Sequence, residues 1–247
     1  MTVTWAATLL LSILLAKYLS IPGIVLFCMS LPTITMYDPI LDALRVWKIR
    51  RVNPLTTLNE NLSLWQKILM FILGTTAGGG VAQSFAPLIA FAVSVILLVM
   101  LIVFTKLLQE RNPFARSLSV VFVASQFVLL HSAFTGVLTY AEARDFAFLA
   151  LINVIIVVSV GLIMNARIGN ENRKQSGFQT GICLVAGSAE ILYPLTMSLP
   201  LEFVVFLATA VIVSLTFVAA RNLSMKRIGL LSSLWTIITV LVLVFGP

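Results

Sequence analysis

Long apolar stretches separated by short polar ones make up most of this chain. The apolar runs cover residues 3–36, 64–82, 85–104, 117–138, 146–164, 178–199, 203–220 and 228–245. A helix needs about 20 residues to cross a hydrocarbon core of about 30 Å. Each run after the first therefore fits one membrane-spanning helix. The pattern predicts an all-α, polytopic transmembrane helix bundle of about eight spans, between seven and nine.

The first run, 3–36, is too long for one straight span and is interrupted by Pro22-Gly23 and by Pro32. It is either one kinked helix or two segments. We favour two segments, because Lys17 and Tyr18, next to Ser20 and Pro22, have the composition of an interfacial turn. Two crossings place the N-terminus inside the cell, whereas a single crossing places it outside.

Composition supports a membrane environment along the whole chain. The sequence is 60% hydrophobic and only 10% charged, whereas soluble domains carry about 25% charged residues. So few charges cannot cover a water-exposed surface, so we expect one integral membrane domain over residues 1–247, in the plasma (inner) membrane or an organellar equivalent. No basic segment precedes the first run, so we expect no cleaved signal peptide.

The basic residues alternate between connections. All of the 16 lysines and arginines except Lys17 and Arg144 fall on one side of the predicted bundle. Cytoplasmic connections collect such residues, which puts this side in the cytoplasm and the C-terminus outside. The net charge of +7 is explained by this topology, and we expect no nucleic-acid partner.

Residues 37–63 form the longest polar connection, a cytoplasmic loop with amphipathic and basic character. Ile40, Leu41, Leu44 and Trp47 have helical spacing and predict a short helix whose apolar face lies on the inner leaflet. Its basic residues are candidates for binding the membrane surface or a cytoplasmic partner: Arg45, Lys48, Arg50 and Arg51. Asp38 and Asp42, spaced i and i+4, are a weak signal for a metal-dependent, lipid-modifying enzyme.

Glu190 is the most unusual polar residue, because it lies well inside a predicted span, where hydrocarbon penalises a carboxylate. Pro194 follows four residues later and cannot donate the helical hydrogen bond to the carbonyl of Glu190. A carboxylate and a free carbonyl together are suited to bind a proton or a cation, as in the broken helices of transporters. The alternative is a protonated structural glutamate that bonds a neighbouring helix.

Three further polar side chains lie within predicted spans: Gln126, His131 and Asn153. They are candidates to line the same polar path as Glu190. Each also has a structural interpretation, because polar side chains in membranes commonly join helices by hydrogen bonds.

Glycines are concentrated in two places and indicate close helix packing. Gly74 and Gly78 have GxxxG spacing and are followed by Gly79 and Gly80, while Gly177 and Gly181 repeat the spacing before Glu190. The glycines at 78–80 close the second run and could alternatively form a turn, a hinge or a pore-lining element. They lack the Gly-Lys-Ser/Thr of a phosphate-binding loop.

No enzyme motif, cofactor site or metal site is evident, so an enzyme is the less favoured interpretation. The leading hypothesis is a transport or ion- or proton-translocating protein, or a membrane subunit of a larger complex with that activity. One alternative is a scaffold or assembly subunit of a respiratory, secretion or biogenesis complex. Another is the lipid-modifying enzyme that would use Asp38 and Asp42.

Overall fold

The computed structural model describes residues 2–17, 20–107, 113–168, 208 and 224–245. The regular structure in these residues is entirely helical, which confirms the all-α prediction for this part of the chain. The helices are α1 (Thr2–Leu15), α2 (Ile21–Arg50), α3 (Pro54–Asn61), α4 (Leu64–Gln83), α5 (Phe85–Leu107), α6 (Pro113–Thr135), α7 (Tyr140–Ile168) and α8 (Met225–Phe245). The predicted runs 178–199 and 203–220, apart from residue 208, lie outside the described residues.

Three helical segments are long and apolar enough to cross a membrane: Phe85–Phe104, Ser117–Thr135 and Lys226–Phe245. The first and third are only 22% buried within the protein, against 56% for the second. Their exposed surface carries large apolar side chains such as Phe85, Ile96 and Leu230. Such faces are suited to lipid rather than water, which makes this a membrane protein, and α6 carries the most enclosed of the three segments. The count of eight spans and the outer location of the C-terminus stay predictions.

The first apolar run forms two helices, α1 and α2, which break between residues 16 and 20. Lys17 adopts a left-handed conformation with φ of 57°, which ends the helical path. The hydroxyl oxygen of Ser20 then accepts a hydrogen bond from the amide of Gly23 at 3.3 Å and caps α2. Pro22 in the first turn needs no helical partner for its nitrogen. The indole Nε1 of Trp5 donates to the carbonyl of Ser30 at 3.1 Å and fastens the two helices.

Helix α2 continues far beyond the first apolar run and includes much of the segment expected to be a loop. It passes through Pro32 and Pro39 without ending. Pro39 cannot donate to the carbonyl of Thr35, and that carbonyl instead accepts a hydrogen bond of 3.0 Å from the Nε2 of Gln66 in α4. The expectation that Pro32 interrupts the run was wrong, because α2 is continuous from Ile21 to Arg50.

A residue of the capping box of α4 also binds α2. The hydroxyl of Ser63 accepts from the amide of Gln66 at 3.3 Å, and the Oε1 of Gln66 accepts from the amide of Ser63 at 2.9 Å. This capping box satisfies two backbone donors at the start of α4. Because the same Gln66 side chain bonds Thr35, the start of α4 is held level with that residue of α2.

The ends of α1, α4 and α6 lie level at one end of the bundle. Gly80, near the end of α4, meets Ala133, near the end of α6. Ser12, near the end of α1, lies at His131 of α6. The turns that follow these helices are therefore gathered at this end. In the predicted topology these turns lie on the outer side, where Lys17 is an exception to the alternation of lysine and arginine.

Candidate functional site

The turn between α6 and α7 positions the most unusual polar pair in the described residues. Gly136 has a φ of 72°, a conformation that glycine adopts without steric cost. The hydroxyl of Thr135 bonds the carbonyls of His131 and Val137 at 2.8 and 2.7 Å. These contacts fix the last turn of α6 to the loop and place α7 directly beside it.

Helix α7 begins with a capping box that orients Glu142. The amide of Thr139 donates to the Oε2 of Glu142 at 2.8 Å, and the amide of Glu142 donates to the hydroxyl of Thr139 at 3.2 Å. A carboxylate in the first turn also interacts favourably with the helix dipole. One carboxylate oxygen is thus held by the cap, and the other remains available to α6.

His131 faces that second oxygen. Its Nε2 lies 3.4 Å from the Oε1 of Glu142, somewhat beyond an ordinary hydrogen bond of about 2.7–3.2 Å. The imidazole is completely buried, whereas the glutamate side chain is 21% exposed. Neither ring nitrogen has a hydrogen-bond partner of good geometry among the described residues. The backbone of Ser12, in α1, is the other polar group at the ring.

The surroundings of this pair are partly apolar and partly charged. The ring of Phe146 meets His131 edge-on, with centroids 5.6 Å apart. Asp145 is buried and forms an ion pair with Arg144, whose Nη2 lies 3.1 Å from its Oδ1. Asp145 precedes the apolar part of α7, and burial raises the pKa of its carboxyl while Arg144 opposes that shift. The negative charge of nearby Glu142 acts on the pKa of the Asp145 carboxyl in the same direction as burial.

A second buried polar cluster joins α5 to α6 nearer the middle of both helices. The hydroxyl of Ser94 lies 3.2 Å from the hydroxyl of Ser125 and donates toward its carbonyl at 3.4 Å. The Nε2 of Gln126 is 3.5 Å from the same hydroxyl. Gln126, predicted as a path residue, thus contacts the α5–α6 interface. This geometry is that of hydrogen-bonded helix association.

The other predicted path residues are in different places. Asn153 is buried in α7, and its Nδ2 donates to the carbonyl of Leu149 at 2.8 Å, one turn earlier in its own helix. Glu190 and Pro194 lie outside the described residues, so the structure does not bear on the carboxylate that the sequence marks most strongly.

The glycines of α4 lie within a helix that continues to Gln83, so the alternative of a turn at residues 78–80 is not what the structure shows. A methyl group built on Gly80 would collide with Ala133, at 2.7 Å from its Cα. The same group on Gly74, Gly78 or Gly79 meets nothing within 4 Å. Close packing thus requires glycine only at position 80. Gly177 and Gly181 lie outside the described residues.

The predicted docking residues lie at the end of α2. Arg45 forms an ion pair of 2.7 Å with Asp42, which leaves that carboxylate less suited to hold a metal. No group of three or more histidine, cysteine, aspartate or glutamate side chains able to hold a metal occurs among the described residues. Lys48, Arg50 and Arg51 are exposed.

Glu142 is the site residue that sequence reasoning missed. Thr139 and Glu142 form a T-x-x-E pattern directly before an apolar run, which is the signature of a capping box. That pattern could have located the start of α7. It could not have shown that the carboxylate also reaches His131, because this contact depends on how the turn folds.

No protein-family model, curated protein or solved structure matches this chain. The function is therefore argued from the geometry of the site and the membrane character of the helices.

Proposed function

We propose that this protein moves protons or small cations across a membrane, as a transporter or as a membrane subunit of a larger complex. The contact between His131 and Glu142 carries the proposal. A histidine changes charge near neutral pH, and this one is enclosed in the bundle beside a carboxylate that reaches the protein surface. Ionisable groups at membrane depth commonly mark proton and ion pathways.

The interior around His131 supports the same proposal, because polar side chains from four helices are buried there or further along the bundle. They are Thr8 and Ser12 in α1, His131 and Ser132 in α6, Asn153 in α7, and Thr236 and Thr239 in α8. Ser12, Ser132, Asn153, Thr236 and Thr239 each donate to a carbonyl three or four residues earlier in their own helix, so the bundle accommodates polar groups along the proposed path. In this proposal Glu190 is the deeper protonatable group, and the His131–Glu142 pair is the one nearer the outer surface.

The chemistry assigned to the pair is proton transfer and not covalent catalysis. Glu142 exchanges protons with water at the outer end, since a fifth of its side chain is exposed. His131 then receives or gives the proton at Nε2, the ring atom that faces the carboxylate. The amide of Thr139 donates to the other carboxylate oxygen, which orients the carboxylate toward His131.

Proton flux into proteoliposomes tests the proposal. The protein, with any subunits that co-purify in mild detergent and are identified by mass spectrometry, is reconstituted around a trapped pH-sensitive dye. A potassium diffusion potential then drives proton entry. We expect flux with the wild type and a loss of at least tenfold with Glu142→Gln or His131→Gln.

Glu60→Gln is the matched control, because Glu60 is an exposed carboxylate on α3. It removes the same charge without touching the pair, so its flux should equal that of the wild type. Folded variants that keep full flux with Gln at position 142 and at position 131 contradict the role of the pair. Wild-type protein that assembles with partners but conducts nothing supports the scaffold interpretation instead.

A further inference from the structure

The turn between α2 and α3 carries an exposed surface that is both basic and apolar. We call residues 48–55 the basic tip. Ile49, Val52 and Leu55 are 79%, 44% and 70% exposed, and Arg50 and Arg51 between them are exposed as well. No aspartate or glutamate occurs between residues 43 and 59. A cluster of exposed apolar side chains in a polar connection indicates a surface that is covered in use.

The apolar face that the sequence assigned to the leaflet is not the exposed one. Leu44 is buried, and Ile40, Leu41 and Trp47 are half-buried. The predicted amphipathic segment therefore turns its apolar face toward the protein. What remains exposed lies further along the chain, at the basic tip.

The start of α4 indicates where the membrane boundary lies, and its contact with α2 places that boundary on α2 as well. Trp65 and Leu64, at the start of α4, are 74% and 73% exposed, and exposed tryptophan is typical of the membrane–water interface. The bond from Gln66 to Thr35 puts α2 at this level at Thr35. From there α2 continues to Arg50, a distance of about 22 Å along its axis.

Proline provides a place for this extension to bend. Pro39 lies one turn after Thr35, at the position where the helical hydrogen bond is missing, and proline is the usual cause of a sharp helix bend. A bend at Pro39 would direct the last turns of α2 along the leaflet rather than away from it, and the basic tip would then lie beside lipid headgroups.

We propose that the basic tip binds the anionic surface of the leaflet on the lysine- and arginine-rich side of the membrane. Ile49, Val52 and Leu55 enter the boundary between headgroups and acyl chains, while Arg50 and Arg51 pair with lipid phosphates. Charge complementarity favours anionic lipid, because the tip carries only cations and this leaflet is the nearest large anionic surface. The proposal is independent of the proton-transfer role given to His131 and Glu142.

Depth-dependent fluorescence quenching tests this binding in the full-length protein. Cys28 and Cys183 are replaced by serine, and a single cysteine at position 52 carries a bimane label. The protein is placed in nanodiscs of phosphatidylcholine alone, or with a quarter of phosphatidylglycerol, each containing a headgroup-level nitroxide lipid. A label at position 137, an exposed apolar site in the charge-poor α6–α7 turn, is the matched control.

We expect the label at position 52 to be quenched more strongly in the anionic nanodiscs, with no such difference at position 137. Replacing Arg50 and Arg51 by glutamine should lower the lipid-bound population by about fivefold per arginine. Salt at 0.5 M should weaken the wild-type quenching in the same direction, because screening reduces the attraction. The effect of salt on the quenching at position 52 tests the proposal even if the double variant misfolds.

Equal quenching at position 52 in both lipid compositions, unchanged by salt, overturns the proposal. So does a label at position 52 that is not quenched by lipid but becomes protected when a co-purified subunit is present. That second result assigns the basic tip to a protein partner.

Discussion

Gly80 gives the sharpest test of the helix packing around the candidate site. A Cβ at this position collides with Ala133 of α6, including its Cα at 2.7 Å. The obstacle is largely backbone, so a side-chain rotation cannot relieve it, and α4 and α6 must move apart. Overpacking of this kind costs about 1–3 kcal/mol. Alanine in place of glycine also stabilises a helix by about 0.5–1 kcal/mol, which offsets part of that loss.

Gly79→Ala separates these two effects, because a Cβ on Gly79 meets nothing within 4 Å. Gly79→Ala should therefore show only the stabilisation that alanine gives to a helix. We therefore expect the two alanine variants to differ by about 2 kcal/mol in the free energy of unfolding, with Gly80→Ala the less stable. For a chain of this size this corresponds to a separation of about 4–8 °C in Tm.

Thermal unfolding in detergent, followed by intrinsic fluorescence and by loss of the monodisperse peak, measures the difference. The wild type should lie between the two variants. If Gly80→Ala is as stable as Gly79→Ala, the two helices do not approach as described. The level alignment of α4 with α6, and with it the placement of the outer turns, would then be wrong.

Three other experiments test hydrogen bonds at the helix ends and interfaces. Thr139→Ala removes the cap of α7 and should cost about 0.5–2 kcal/mol, seen as a lower Tm, whereas Thr56→Ala on exposed α3 should cost less. Gln66→Ala leaves the Thr35 carbonyl without its partner and should lower stability by about 1 kcal/mol; an unchanged Tm would contradict the described bond. A double-mutant cycle with Ser94→Ala and Ser125→Ala should give a coupling energy of about 0.6 kcal/mol, typical of polar contacts between membrane helices, and strictly additive effects would argue against the contact.

Local patterns predicted most of the described helices because each apolar run is long and bounded by polar residues. Hydropathy located α5 and α6, although α5 ends three residues later than its predicted run, and α6 begins four residues earlier and ends three residues earlier than its run. Helix α2 was harder, since Pro32 and Pro39 indicate breaks when only local hydrogen bonding is considered. The carbonyl that Pro39 leaves free is bound by Gln66, which is distant in sequence, and no local pattern contains that information.

For the candidate site, too, one part was predictable from the sequence and the other was not. His131 was identifiable as an isolated ionisable residue in an apolar run. Its pairing with Glu142 depends on the geometry of a short turn with a glycine at positive φ, so composition could not reveal it. Among the glycines of α4, spacing gave equal weight to several positions, while the structure requires only Gly80 to be small. Whether a residue must be glycine depends on how closely the neighbouring helix approaches it.

The Gln66 side chain links α4 to α2, two helices that are separate along the sequence. One end of the amide caps α4, and the other end holds the backbone of α2 at its proline. A rotation of α4 about its axis therefore pulls on α2 at the position where that helix bends most easily. Because α4 also touches α6 at Ala133, two residues from His131, α4 connects this part of α2 to the opposite end of the bundle.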